Sequence, residues 1–143
     1  MKKKIALAVV ALLLLTSAAL ADKLSLDQLK ERADRASKTD QPKACINVVD
    51  EALRLASAEY DAGDVEKGRA DITSAADYAE KGAHAAIDTG KHLKDTELHL
   101  GRASRTLQAI QHKIEFDERE LVRAAVTRIE AMRTQLLNRM FAK

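Results

Sequence analysis

From Val65 onward, small and apolar side chains return at every seventh position. One row reads Val65, Ile72, Ala79, Ala86, Leu93, Leu100, Leu107 and Ile114, and a companion row reads Gly68, Ala75, Gly82, Thr89, Thr96, Ala103 and Ile110. A repeat of this length keeps one face of an α-helix apolar. The phase does not slip across residues 65–114, so the pattern predicts one helix over that span, roughly 75 Å long at 1.5 Å per residue. A break at Gly90 is the alternative, because a glycine followed by Lys91 resembles a helix end.

The composition of the seam changes along its length. Its first half is glycine and alanine, which lets a partner backbone come close, while its second half carries leucine and isoleucine, which hold a partner farther off. A matching stripe for the first half precedes it: Cys45, Val48, Val49, Ala52, Leu53, Ala56 and Tyr60. Val122, Ala125, Ile129, Met132, Leu136 and Met140 form the stripe for the second half. Short connections at Gly63 and at Glu115-Phe116 make these segments antiparallel neighbours. The expected fold is all-α: an elongated antiparallel helical bundle, with helical hairpins at both ends of one long shared helix. Tyr78, Ile87 and Leu98 lie off the main seam and mark a second contact face, for the first helix or for another subunit.

Helix starts are marked by side chains able to accept from free backbone N–H groups. In LSLDQL, Ser25 and Gln28 fit a capping box, with Leu24 and Leu29 as its hydrophobic staple. In FDEREL the same roles fall to Asp117, Glu120, Phe116 and Leu121. A third start lies near Asp40 with Pro42 in the first turn, and a fourth follows Gly63-Asp64. Helices are thus expected at about 26–37, 42–62, 65–114 and 118–141. One proline and five glycines in 143 residues leave no low-complexity linker to separate a second domain.

Within this framework, Leu55 to Ala75 resembles one tetratricopeptide hairpin. The likeness rests on Leu55 and Ala56 in its first helix, Gly63-Asp64-Val65 at its turn, and Gly68, Ile72 and Ala75 in its second. Glu59 and Glu80 stand where that family has an aromatic and a proline, and Tyr60 is one place off. No second copy follows at the repeat period, and such units need about three copies to form a stable array. The resemblance implies a helical hairpin and carries over no peptide-binding groove.

The first residues change the picture of where the chain works. Three lysines, an apolar run from Ile5 to Leu15 and the tripeptide Ala19-Leu20-Ala21 have the order of a secretory signal with cleavage before Asp22. An uncleaved anchor is the alternative. Either way residues 22–143 form the exported part, a single bundle domain in the periplasm or outside the cell, and any membrane attachment runs through an uncleaved signal. Without Lys2, Lys3 and Lys4, 21 basic residues face 22 acidic ones. That balance argues against a nucleic-acid partner, which calls for a strong positive field. Charge is nevertheless uneven: residues 22–98 hold 12 bases and 17 acids, and residues 99–143 hold 9 bases and 5 acids. Either the second part steers an acidic partner or the two parts pair with each other, and the presence of both signs in each favours internal pairing.

Candidate chemistry is confined to DTGKHLKDTELHLG. There Asp88, His92, Asp95 and His99 recur at steps of four, three and four, one row on an unbroken helix. Imidazole and carboxylate suit zinc, copper or nickel, but a tight site needs three or four converging ligands, and the heptad frame places this row on the wet flank of the Leu93 and Leu100 seam. Cys45 opens an apolar stripe, as a buried, unreactive thiol does. Glu118, Glu120 and Glu130 are spaced like surface helix acids, and Arg119, Arg123, Arg128, Arg133 and Arg139 are either a solvated face or a docking surface for acidic partners. No nucleophile elbow, phosphate loop or haem-attachment motif occurs. The sequence therefore points to a non-catalytic exported helical protein with no cofactor, acting through contact with an unidentified protein partner or as a homo-oligomer. The alternative is a metal-binding or metal-sensing bundle built on Asp88, His92, Asp95 and His99.

Overall fold

The computed structural model describes residues 23–143, so the segment expected to act as a secretory signal, with its expected cleavage before Asp22, lies outside the described residues. Five helices run α1 Leu26–Arg35, α2 Gln41–Asp61, α3 Val65–Thr89, α4 Leu93–Lys113 and α5 Arg119–Phe141, with a 3-10 turn at Phe116–Glu118 before the last. The fold is all-α.

Local chemistry sets most of the boundaries. The Gln28 N–H donates to Ser25 Oγ at 3.2 Å, and the Ser25 N–H donates back to Gln28 Oε1 at 2.9 Å, completing the expected box. Asp40 stands at the start of α2 with Pro42 in its first turn, although its carboxylate accepts from the Ser37 hydroxyl instead of capping. Gly63 ends α2 with φ +78°, and the Asp64 N–H reaches back to the Glu59 carbonyl at 2.8 Å. This left-handed closure is the one glycine supplies without strain.

The FDEREL start forms differently from its sequence signal. Asp117 lies in the 3-10 turn, α5 begins after Glu118 without a side-chain cap, and Phe116 is 79% exposed and closes no staple. The reason is tertiary: Arg69 of α3 and Tyr60 of α2 both bond the Glu118 carboxylate. A paired, buried acid outweighs a solvent-exposed cap worth about 1 kcal/mol.

The larger correction concerns residues 65–114, which form two helices and not one. Gly90 closes α3 at φ +68°, its N–H donating to the Ala86 carbonyl at 2.8 Å, and His92 also sits left-handed at φ +59°. The chain restarts at Leu93, where the His92 carbonyl accepts from both the N–H and the hydroxyl of Thr96. Two left-handed residues within three positions reverse its direction. On a straight helix Lys113 would lie about 72 Å from Val65, whereas its Nζ is 2.9 Å from Asp61 Oδ1 at the other end of the hairpin turn. A non-glycine left-handed residue costs about 1–2 kcal/mol. Burial offsets that cost: reversal lays Leu100, Leu107 and Ile110 into one core with Ile72, Ala76, Ala79, Ala83 and Ala86.

Helices α2 to α5 therefore form an up-down-up-down four-helix bundle, not an elongated assembly on a shared rod. α2 lies along α3, α5 beside α3, and α4 between α5 and α2. Arg128 joins α5 to Asp77 and Glu80 of α3, Arg133 joins it to Glu97 of α4, and Lys113 ties α4 to Asp61 of α2. The glycine-and-alanine half of α3 does allow close approach. A Cβ on Gly82 would fall 2.8 Å from the Cβ of Cys45, and one on Gly68 would fall 2.8 Å from the Tyr60 ring. α1 closes the outer side of α2 and α3, where Ala33, Cys45 and Val48 form a second small core with Leu26, Leu29 and Tyr78. Tyr78 is thus covered by the first helix, and its hydroxyl donates to Asp34 at 3.0 Å.

Candidate functional site

The helix break scatters the row Asp88, His92, Asp95 and His99. Asp88 lies in the last turn of α3 and accepts from Lys38 Nζ at 3.2 Å, while His92 belongs to the reversal itself. Only Asp95 and His99 keep their one-turn spacing on α4, and they face α2 across a shallow cleft lined by Lys43, Ile46, Asn47 and Asp50. Partial desolvation in this cleft raises the Asp50 carboxyl above its ordinary value, against the pull of His99 and Arg102. Lys43 brings a positive charge into the same space. Among the described residues no group of three or more His, Cys, Asp or Glu side chains is placed to hold a metal ion.

Cys45 is buried beneath α1 and against Gly82, and burial pushes its thiol up to about 11. A thiol held protonated in this way is a poor nucleophile.

The basic residues of the last helix are mostly committed. Arg128 Nε and NH2 bond Glu80 and Asp77 at 2.7 Å each, Arg133 reaches Glu97 at 2.6 Å and Glu130 at 3.1 Å, and Arg139 Nε donates to the Ile87 carbonyl at 3.2 Å. All but the Arg133–Glu130 pair cross between helices. The charge imbalance along the sequence is met largely by internal pairing, and Arg128 and Arg133 do not form an open docking face. Arg128 in turn holds the Glu80 carboxyl below its usual range.

Two acidic clusters escape the sequence pattern. Glu118, spaced like a surface acid, is only 7% exposed, and Arg69 holds its carboxyl below the usual range. The only trace of this in the sequence is Tyr60, one place from where a hairpin repeat would put its aromatic. The second cluster joins Glu59 of α2 to Asp71 of α3. Glu59 Oε2 is buried without a hydrogen-bond partner, and burial, the Asp71 carboxyl beside it and the charge of Asp64 push Glu59 up to about 7. Lys67 opposes that rise, but it also lies 3.4 Å from Asp64.

The sign of the resulting pH dependence follows directly. Glu59 holds its proton more tightly folded than unfolded, so its contribution to stability is lost as pH rises from 4.5 to about 7. The melting temperature is expected to fall across that window. Glu59→Gln, which keeps the neutral shape at all pH values, is expected to flatten the fall and to melt above the parent at pH 8. Thermal unfolding followed by circular dichroism at pH 5.5 and 8 checks this, and an unchanged slope in the variant would contradict it.

What remains on the surface is apolar in a few places. The chain has two phenylalanines, and both are open to solvent: Phe116 at 79% and Phe141 at 78%. Leu98 on α4 and Leu137 on α5 are 48% and 38% exposed. No helix among the described residues is long and apolar enough to cross a membrane. No family model matches the chain, and neither a curated protein nor a solved structure does.

Proposed function

We propose that this is a non-catalytic exported helical protein that works by protein contact, as an adaptor, a structural component or a chaperone-like binder. The observation that carries the reading is the placement of its phenylalanines. Phenylalanine brings a large apolar area that cores bury and interfaces favour. Here the interior is filled with alanine, leucine and isoleucine, while both phenylalanines stand in water. The polar chemistry supports the same reading, because Arg69, Arg128, Arg133, Glu97 and Glu118 are used to fasten helices together. The opening residues, with their signal-like order, support export.

The metal-binding alternative draws on Asp88, His92, Asp95 and His99, of which Asp95 and His99 line the cleft facing α2.

Affinity capture of the tagged full-length chain from the cell envelope, combined with in-cell cross-linking, tests the reading. Cross-linked species containing a second polypeptide are expected. Recovery of nothing but the free monomer by both methods would contradict it.

A further inference from the structure

Resting on that reading, we propose that the two ends of the bundle bind each other, the acidic end of one copy docking head to tail on the basic end of the next. Folding back at Gly90 gathers segments of like charge that lie far apart in sequence. At one end the α2–α3 turn meets the 3-10 turn: residues 57–67 and 113–121 bring eight acidic side chains and three basic ones. At the other end, residues 35–43, 87–95 and 138–143 bring seven basic side chains and three acidic ones. Antiparallel helices cancel one another's dipoles at each end, so the polarity belongs to the side chains. Ion pairs use up part of it: Arg69 with Glu118, Arg123 with Glu120, Lys67 with Asp64 and Lys113 with Asp61 at the acidic end, and Arg35 with Glu31 and Lys38 with Asp88 at the basic end. Glu66, Glu115 and Asp117 at the acidic end, and Lys91, Lys94 and Lys143 at the basic end, are exposed and make no ion pair among the described residues.

Each end also carries one exposed aromatic, Phe116 on the acidic end and Phe141 on the basic end. An apolar anchor within a field of one charge sign matches an apolar anchor within the opposite field. Neither end matches itself, because like charges would face each other. The contact is therefore heterologous, and repetition gives open chains, not closed dimers. An end of two helices by two at about 10 Å spacing offers roughly 400 Å² per copy. That area lies below a standard stable interface, so association is weak, reversible and screened by salt.

The test is sedimentation equilibrium of the protein purified from cells, at low and high ionic strength, with Phe116→Ser and Phe141→Ser. The weight-average mass of the parent is expected to rise with concentration at low salt and to return to one chain at high salt. Each variant alone is expected to lose about tenfold or more in association. An equimolar mixture of the two variants keeps one intact acidic end and one intact basic end, so it is expected to form dimers and nothing longer. A single-chain mass at every low-salt concentration, salt-insensitive association, variants that associate like the parent, or a mixture that stays monomeric would each overturn the proposal. Envelope capture of other proteins without a second copy of this chain would sink the pairing of ends alone, while capture of nothing would sink the broader reading as well.

Discussion

Leu107→Ala is expected to lower the unfolding free energy by about 2–5 kcal/mol, among the largest losses available to a single truncation in this chain. Leu107 is fully buried in the same core as Ile72, Ala79 and Ile129. That core is unequal in its parts: α3 supplies mostly alanine, so α4 and α5 fill the volume with Leu100, Leu107, Ile110, Ile129 and Leu136. Alanine has no rotamers through which to reach into a void, and the cavity left by Leu107 therefore cannot collapse from the α3 side. Leu137→Ala on the outer side of α5 is the control, since its side chain already meets water, and its loss is expected to stay below about 1 kcal/mol. Urea unfolding with a shared slope measures both. Equal losses for the two variants would show that Leu107 is not in the core.

Gly82→Val is expected to cost about 3 kcal/mol or more, by the opposite mechanism. A Cβ at this position lies 2.8 Å from the Cys45 Cβ and 3.6 Å from the Pro42 carbonyl, so the obstruction is another helix and not a movable side-chain end. α2 has to shift outward, and Cys45 also belongs to the small core beneath α1, so that helix loses packing with it. At Gly68 the nearest atoms belong to the ring of Tyr60, a side chain and not another backbone, and the about 0.8–1 kcal/mol of helix propensity that Gly68→Ala regains offsets part of displacing it. Its net cost is expected to be much smaller. A double substitution, Gly82→Ala with Cys45→Gly, is expected to be less destabilising than the two single losses added together. Strict additivity would mean that these residues do not touch.

The apolar stripes of α2, α3, α4 and α5 are legible in the sequence because periodicity reports which side chains leave water. Ile72, Ala79, Leu100 and Leu107 fall on the seam and all four are buried. The path of the backbone is not encoded in the same signal. A heptad phase that continues across Gly90 fits a straight helix and also a reversal that returns the same face to the core, and His92 in a left-handed conformation gives no warning in its residue type. The start at Ser25 is legible because its box is local. The start near Asp117 is not, because Arg69 and Tyr60, 49 and 58 residues away from Glu118, decide it.

The candidate site follows the same division. The row from Asp88 to His99 exists only if the helix is straight, so the reversal dissolves it and leaves Asp95 and His99 facing Asp50. The acidic and basic ends are invisible along the sequence for the converse reason: they appear only once distant turns are gathered together.

Folding back at Gly90 is what the bundle, its core and its two charged ends all depend on. Dipolar spin-label spectroscopy between Asp61→Cys and Lys113→Cys, in a Cys45→Ala background, reads that reversal as a distance. The bundle places the two labels within about two helix diameters, roughly 20–24 Å. A separation near 70 Å, the span of an unbroken helix from residue 65 to residue 113, would contradict it.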